Sequence, residues 1–185
     1  MPRLGGIAIC VGFLAALLVA MVITRDIVLA LRGDALTIRI PLSPRTDQAV
    51  LGILLGSTFL FLVGIWDDAR GMNPALKLVL QVAGAAILIP FGLTTQFMTH
   101  PLTGQVVALG PLGPLFTILW VVGVVNAMNF IDGVDGLASG IAAIASTTLL
   151  LTALVKGDEV SVLLAACLIG SMLGFLRHNF NPARI

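Results

Sequence analysis

The chain has 185 residues, of which 58% are hydrophobic and only 10% charged, whereas soluble domains carry about 25% charged residues. With a mean hydropathy of +1.10 it is an integral membrane chain, and a formal net charge of +1 argues against nucleic-acid binding. The two cysteines, Cys10 and Cys167, lie in apolar runs and read as small core residues.

In chain order, the first apolar segment is Gly5–Ile23. Met1-Pro2-Arg3 precedes it, but it lacks a convincing cleavage region, so no cleavable signal peptide is evident. The charged connector Thr24–Gln48 follows; its TIRIPL stretch alternates weakly and suits a small ordered hairpin. The second segment, Ala49–Ile65, leads into GIWDDARG, where Asp67 and Asp68 are adjacent and repel each other unless a cation or a proton intervenes. Taken alone, the pair reads as a solvated helix end with Trp66 as an interfacial anchor. It is not the DDxxD of soluble prenyl-diphosphate enzymes, because position 71 is Gly; Arg70 and Lys77 nearby could attract phosphate.

The third segment is Leu76–Leu93, followed by the connector Thr94–Pro111 and the fourth segment, Leu112–Phe130. This last one runs into NAMNFIDGVDGLASG, which places Asn126, Asn129, Asp132 and Asp135 at steps of three. Each such step in a helix turns the side chain back by about 60°, so Asn126, Asn129 and Asp132 fan across one face. Gly133 and Gly136 end the regular helix, which lets Asp135 swing in and a ligand approach the backbone. A capped helix end explains one such residue. Four of them, phased and flanked by glycines at membrane depth, point to a functional site, because polar groups there are costly. The fifth and sixth segments, Gly140–Val155 and Val160–Leu176, are joined by Lys156–Glu159, and the tail RHNFNPARI closes the chain.

A bilayer core takes about 20 apolar residues, and lipid leaves backbone groups no partner outside a helix or closed barrel. The fold class is therefore all-α: a polytopic transmembrane helix bundle of about six spans, with residues 1–185 as a single membrane domain. Gly52, Gly56, Gly84, Pro90, Gly123 and Gly170 inside the spans suit close helix packing or kinks. With six crossings, Trp66–Ala75, Ile131–Ser139 and the tail share one side of the membrane with Met1–Leu4, so the polar clusters lie on a common face. Charge does not orient the chain: Arg3, Arg70, Lys77, Arg177 and Arg184 on that side are balanced by Arg25, Arg32, Arg39, Arg45 and Lys156 on the other.

Carboxylates and amide oxygens are hard ligands that suit Mg²⁺, which commonly bridges protein carboxylates and substrate phosphates. There is no P-loop, no GxGxxG, and no Ser-His-Asp or zinc pattern. His100 and His178 fall on opposite sides and form no joint site; His100 reads as a connector residue.

Five motifs occur in order: PRLGG at Pro2–Gly6, GIWDD at Gly64–Asp68, NPALKLVLQ at Asn73–Gln81, NAMNFIDGVDGLASG at Asn126–Gly140, and NFNPARI at Asn179–Ile185. Over essentially the whole chain they resemble the polyprenyl-phosphate N-acetylhexosamine-1-phosphate transferases. That superfamily contains phospho-MurNAc-pentapeptide transferase and undecaprenyl-phosphate GlcNAc-1-phosphate transferase. The NxxNxxDGxDGLA run is the most specific element. Ile131 before Asp132 and the FNPARI tail are closer to the GlcNAc-type branch, with the MurNAc-pentapeptide branch as the alternative.

The resemblance implies a Mg²⁺-dependent enzyme, with Mn²⁺ as a substitute, in a bacterial inner membrane with its site facing the cytoplasm. Polyprenyl phosphate attacks the β-phosphate of a UDP-N-acetylhexosamine, giving a polyprenyl-diphosphate sugar and UMP for cell-wall or surface polysaccharide synthesis. Membrane lipid and a second copy of the chain are the further partners. By motif, Asn129 becomes a Mg²⁺ ligand, and Asp132 and Asp135 line the nucleotide pocket with Asp135 near the uracil. Asp67 and Asp68 serve the lipid phosphate or the metal. Asp67, Asp68 and Asp132 form the catalytic set; Asn126, Gly133 and Lys77 join the substrate-binding set. Direct attack and a double displacement through an Asp nucleophile both remain open.

The family has a helix and a loop before PRLGG, and after NPARI a Gly-Asp segment whose Asp also binds Mg²⁺, then a His-rich loop. Residues 1–185 are therefore expected to be the middle of a larger transferase, inactive alone, with the second metal ligand beyond Ile185. The rival from another class is a secondary transporter with intramembrane carboxylates. It predicts polar groups near mid-membrane in both halves of a repeat; here they cluster at helix ends and no repeat is visible. A non-catalytic relative that only packs or oligomerises would differ in activity alone.

Overall fold

A computed structural model describes residues 5–23, 27–31, 34–38 and 44–181. Among them are the helices α1 (Gly5–Ile23), α2 (Pro44–Arg70), α3 (Pro74–Ala86), α4 (Gly113–Ile131), α5 (Leu137–Lys156) and α6 (Glu159–Asn179). Strands β1 (Ile27–Leu31) and β2 (Asp34–Ile38) form one antiparallel pair, and β3 (Phe97–Thr99) and β4 (Val106–Ala108) another. Five stretches are long and apolar enough to cross a membrane: Gln48–Arg70, Pro74–Phe91, Gly110–Ile131, Leu137–Lys156 and Glu159–Asn179; Gly5–Ala20 is a shorter apolar helix. The protein is a polytopic all-α membrane bundle, as its composition requires.

The chain divides into two compact units, Met1–Thr46 with Ile131–Ile185, and Asp47–Phe130. In the first, α6 packs against both α1 and α5. Small residues allow the approach. Ser139, Ala143, Ser146 and Ala153 are the buried residues of α5 and recur at helical spacing along one stripe. Gly5 faces the Phe175 ring so closely that a Cβ there would lie 2.6 Å from Cζ. The expected hairpin in the first connector is present, with Ile27 paired to Ile38 and Leu31 to Asp34; the part of TIRIPL after Ile38 lies outside the described residues.

In the second unit, α2 runs past the expected boundary at Ile65 to Arg70, because nothing breaks the helix before Gly71. Gly71 takes φ 67°, the left-handed turn that closes helices, and its N–H donates to the Asp67 carbonyl at 2.9 Å. Asn73 then caps α3, its side chain accepting from the Ala75 N–H at 2.9 Å, with Pro74 in the first turn. A three-residue link, Gly71–Asn73, thus folds α3 back along α2. Glycines let α2 meet α3 and the residues that follow it: a Cβ on Gly84 of α3 would lie 2.6 Å from Leu60 of α2, while one on Gly56 would lie 3.1 Å from Leu88 and one on Gly52 2.6 Å from Phe91, both beyond the end of α3.

Pro90 sits in a 3₁₀ turn, Ile89–Phe91, that follows α3, in keeping with its lack of an N–H. Gly123 and Gly170 depart from the expectation of close packing: a Cβ on either meets nothing within 4 Å. The connector after α3 holds the β3–β4 hairpin, which the sequence reading passed over as an ordinary connector. It is rooted on α4, since Thr117 Oγ1 accepts from the Thr95 N–H at 2.8 Å and donates to the Gly113 carbonyl at 2.9 Å. His100 shapes its turn, Nδ1 accepting from the N–H groups of Leu102 and Thr103, each at 3.3 Å; it is the connector residue expected.

Candidate functional site

Each unit carries a polar cluster of its own. In the Asp47–Phe130 unit the last turn of α2 supplies Asp67 and the first turn of α3 supplies Lys77, brought together by the short link between them. Lys77 Nζ donates to Asp67 Oδ2 at 2.7 Å and to Asn129 Oδ1, near the end of α4, at 3.3 Å. The ion pair is largely shielded, with side chains 24% and 22% exposed, so it is screened less than a surface pair. Asp68 is the next residue of α2 and is exposed. Lys77, Asp67 and Asn129, singled out separately in the sequence, thus meet at one place.

One helical turn further along α3, Gln81 is 3% exposed. Its Oε1 accepts from Asn126 Nδ2 at 2.7 Å and its Nε2 donates to Asn126 Oδ1 at 3.4 Å. Asn126 Nδ2 also donates to the Val122 carbonyl at 2.8 Å. The amide of Asn126 is therefore committed within the protein on both its donor and its acceptor atom. Asn126 and Asn129 both address α3, in keeping with their place on one face of α4.

In the unit containing residues 131–185, α4 ends at Ile131 and α5 begins at Leu137. Asp132, Gly133 and Asp135 lie in the exposed turn between them, and Gly136 adopts φ 72° before the first turn of α5. Gly136 has no side chain with which to cap α5. Asn179 of α6 holds that residue in place, its Oδ1 accepting from the Gly136 N–H at 2.9 Å and from Ser139 Oγ at 3.5 Å. Asn181 Nδ2 donates to Asp135 Oδ2 at 3.5 Å. Two asparagines of the NFN tail thus hold the DGVDG turn, and one of them touches a predicted site carboxylate.

Gln81, Asn179 and Asn181 were not chosen as site residues from the sequence. Gln81 had a readable signal: an amide four residues after Lys77, hence on the same face of an otherwise apolar helix. Asn179 and Asn181 stood in a quoted motif, but pairing them with a turn more than forty residues earlier requires the packing of α5 against α6.

Among the described residues no group of three or more His, Cys, Asp or Glu is placed to hold a metal ion. The donors around Lys77 nevertheless suit a hard cation in kind. A carboxylate oxygen and an amide oxygen from different helices converge on one positive charge, leaving the remaining positions to phosphate and water oxygens.

Residues 50–185 match the model of glycosyl transferase family 4. The chain is 32% identical over 185 residues to a probable undecaprenyl-phosphate N-acetylglucosaminyl 1-phosphate transferase of Bacillus subtilis, covering all of this chain and 46% of that protein. It is 36% identical over 152 residues to a phospho-N-acetylmuramoyl-pentapeptide-transferase of Gloeothece citriformis, covering 75% of this chain and 41% of the relative. A decaprenyl-phosphate N-acetylglucosaminephosphotransferase of Mycobacterium leprae is 30% identical over 194 aligned positions, covering 100% and 45%. The chain spans somewhat under half the length of these curated relatives. The matched region takes in all of α3 to α6 and both polar clusters: the chain belongs to glycosyl transferase family 4.

Proposed function

We propose that the protein transfers N-acetylglucosamine 1-phosphate from UDP-GlcNAc to a polyprenyl phosphate, on the cytoplasmic face of a bacterial inner membrane. An oxygen of the lipid phosphate forms a new bond to the β-phosphorus of the donor. The bond from that phosphorus to the bridging oxygen breaks, and UMP leaves with the electron pair. The observation that carries this reading is the single ammonium, Lys77, set between Asp67 and Asn129. The lipid phosphate is already ionised at neutral pH, so the task is to bring two anions together and to stabilise the transferred phosphoryl group. Lys77 supplies positive charge for that, Asp67 and Asp68 position the lipid phosphate, and Asn129 offers an oxygen to a Mg²⁺ ion. Asp132, Gly133 and Asp135 serve the nucleotide. When bound, Mg²⁺ would neutralise phosphate oxygens. Direct attack is favoured over an aspartyl intermediate at Asp67, because a carboxylate held by an ammonium at 2.7 Å is a weakened nucleophile.

GlcNAc is preferred because two of the relatives above carry that sugar in their names. The test is UMP release by the purified full-length protein from UDP-GlcNAc, or from UDP-MurNAc-pentapeptide, with undecaprenyl phosphate, with Mg²⁺ and after chelation. Release from UDP-GlcNAc that stops on chelation supports the reading. Release from the pentapeptide donor alone moves the protein to the other branch, and release that survives chelation removes the metal.

A further inference from the structure

We infer that Gln81 is a positioning residue, whose buried amide pairs with Asn126 and holds α3 and α4 in the register that sets Lys77 beside Asn129. The inference rests on the proposed transfer only for its kinetic readout. Two rungs join the helices: Lys77 to Asn129 at 3.3 Å, and Gln81 to Asn126 at 2.7 and 3.4 Å. The numbering rises along α3 and falls along α4, as two antiparallel helices demand.

The outer rung is made by a flexible lysine that also serves Asp67, and it fixes little by itself. The inner rung has the opposite character. Gln81 is almost wholly buried, and its side-chain hydrogen bonds among the described residues both go to Asn126. A buried amide without its partner bears its full desolvation penalty, whereas an apolar face would tolerate a range of offsets. Sliding one helix past the other by one residue, about 1.5 Å along the axis, would lengthen the 2.7 Å bond and carry the 3.4 Å bond out of hydrogen-bond reach.

The pair therefore selects one offset, and that offset governs the Lys77–Asn129 distance. Asn126 is itself anchored by its bond to the Val122 carbonyl, so the strut is stiff on the α4 side. This gives Asn126 a supporting role: Nδ2 is used by Gln81 and the Val122 carbonyl, while Oδ1 keeps a lone pair for a substrate.

The experiment uses Gln81→Met, which keeps the length and removes both bonds, and Gln81→Asn, which is one methylene too short, alone and with Asn126→Gln to restore the reach. Turnover, KM for the donor, thermal unfolding and hydrogen–deuterium exchange of the 122–131 segment are measured on the purified protein. A positioning role predicts that kcat falls about tenfold while KM stays within about twofold, that exchange at 122–131 accelerates, and that the double exchange of side chains restores both. Unfolding at a lower temperature with kcat and exchange unchanged would make the pair ordinary packing and overturn the proposal. So would unchanged behaviour in every measurement, or a double variant that stays as slow as Gln81→Asn. If Gln81→Met does not accumulate, Gln81→Asn and its partner decide by the same criteria. If the unaltered full-length protein releases no UMP, the transfer reading fails while the exchange measurement still judges the strut.

Discussion

Lys77 does two things with one charge. It neutralises Asp67 at 2.7 Å and orients the Asn129 amide at 3.3 Å. Removing the ammonium leaves Asp67 next to Asp68 without the charge that Lys77 supplies, and like charges that close repel. Phosphoryl transfer depends on positioned charge more than on covalent chemistry. Lys77→Met is therefore expected to lower UMP release by about a hundredfold or more. Lys77→Arg should recover only part of it, because a planar fork does not replace a compact point charge that bridges two oxygens. Near-normal release from Lys77→Met would remove Lys77 from the chemistry.

At the scale of elements, the spans were legible because apolar length and period are properties of the sequence: α1 begins and ends where its apolar run does, and the chain breaks at Gly133–Gly136 where backbone freedom was expected. Trp66–Arg70 was misjudged at the boundary, since polarity marks the end of lipid and not the end of a helix. The glycines were half legible. Those at 56 and 84 face a neighbouring helix, whereas Gly123 faces open space, and composition alone does not distinguish the two. Gly84→Leu should accordingly prevent α2 and α3 from meeting and sharply reduce the yield of folded protein. Gly123→Ala should be neutral or gain about 0.5–1 kcal/mol from helix propensity, read as a small rise in unfolding temperature in detergent. Asn179 ties the residue that precedes α5 to the end of α6. Loss of that hydrogen bond in Asn179→Ala should cost about 1 kcal/mol, a fall of about 2–4 °C for a chain of this size. Asn179→Asp, which keeps the acceptor, should recover most of it.

The orientation of the whole molecule cannot come from its charges, which are balanced five to five across the two sides, so the positive-inside rule gives no preference. Chemistry supplies one. The Asp67–Lys77 pair serves the reacting phosphates in the proposed transfer, and the nucleotide-sugar donor of that reaction is cytoplasmic. The second unit allows a test over a single crossing. Ala69 is in the last turn of α2, the span Pro74–Phe91 follows, and the β3–β4 hairpin then exposes Leu102, which is 90% accessible. Both positions carry side chains that no described hydrogen bond uses, so a cysteine at either should report sidedness without disturbing the fold. In intact cells, Ala69→Cys is expected to resist a membrane-impermeant maleimide until the membrane is opened, while Leu102→Cys should react at once. The reverse pattern would place Asp67 and Lys77 outside the cell, away from UDP-sugars, and would end the proposed transfer. Equal reactivity of both positions in intact cells would show that Pro74–Phe91 does not cross, and the bundle would need one span fewer.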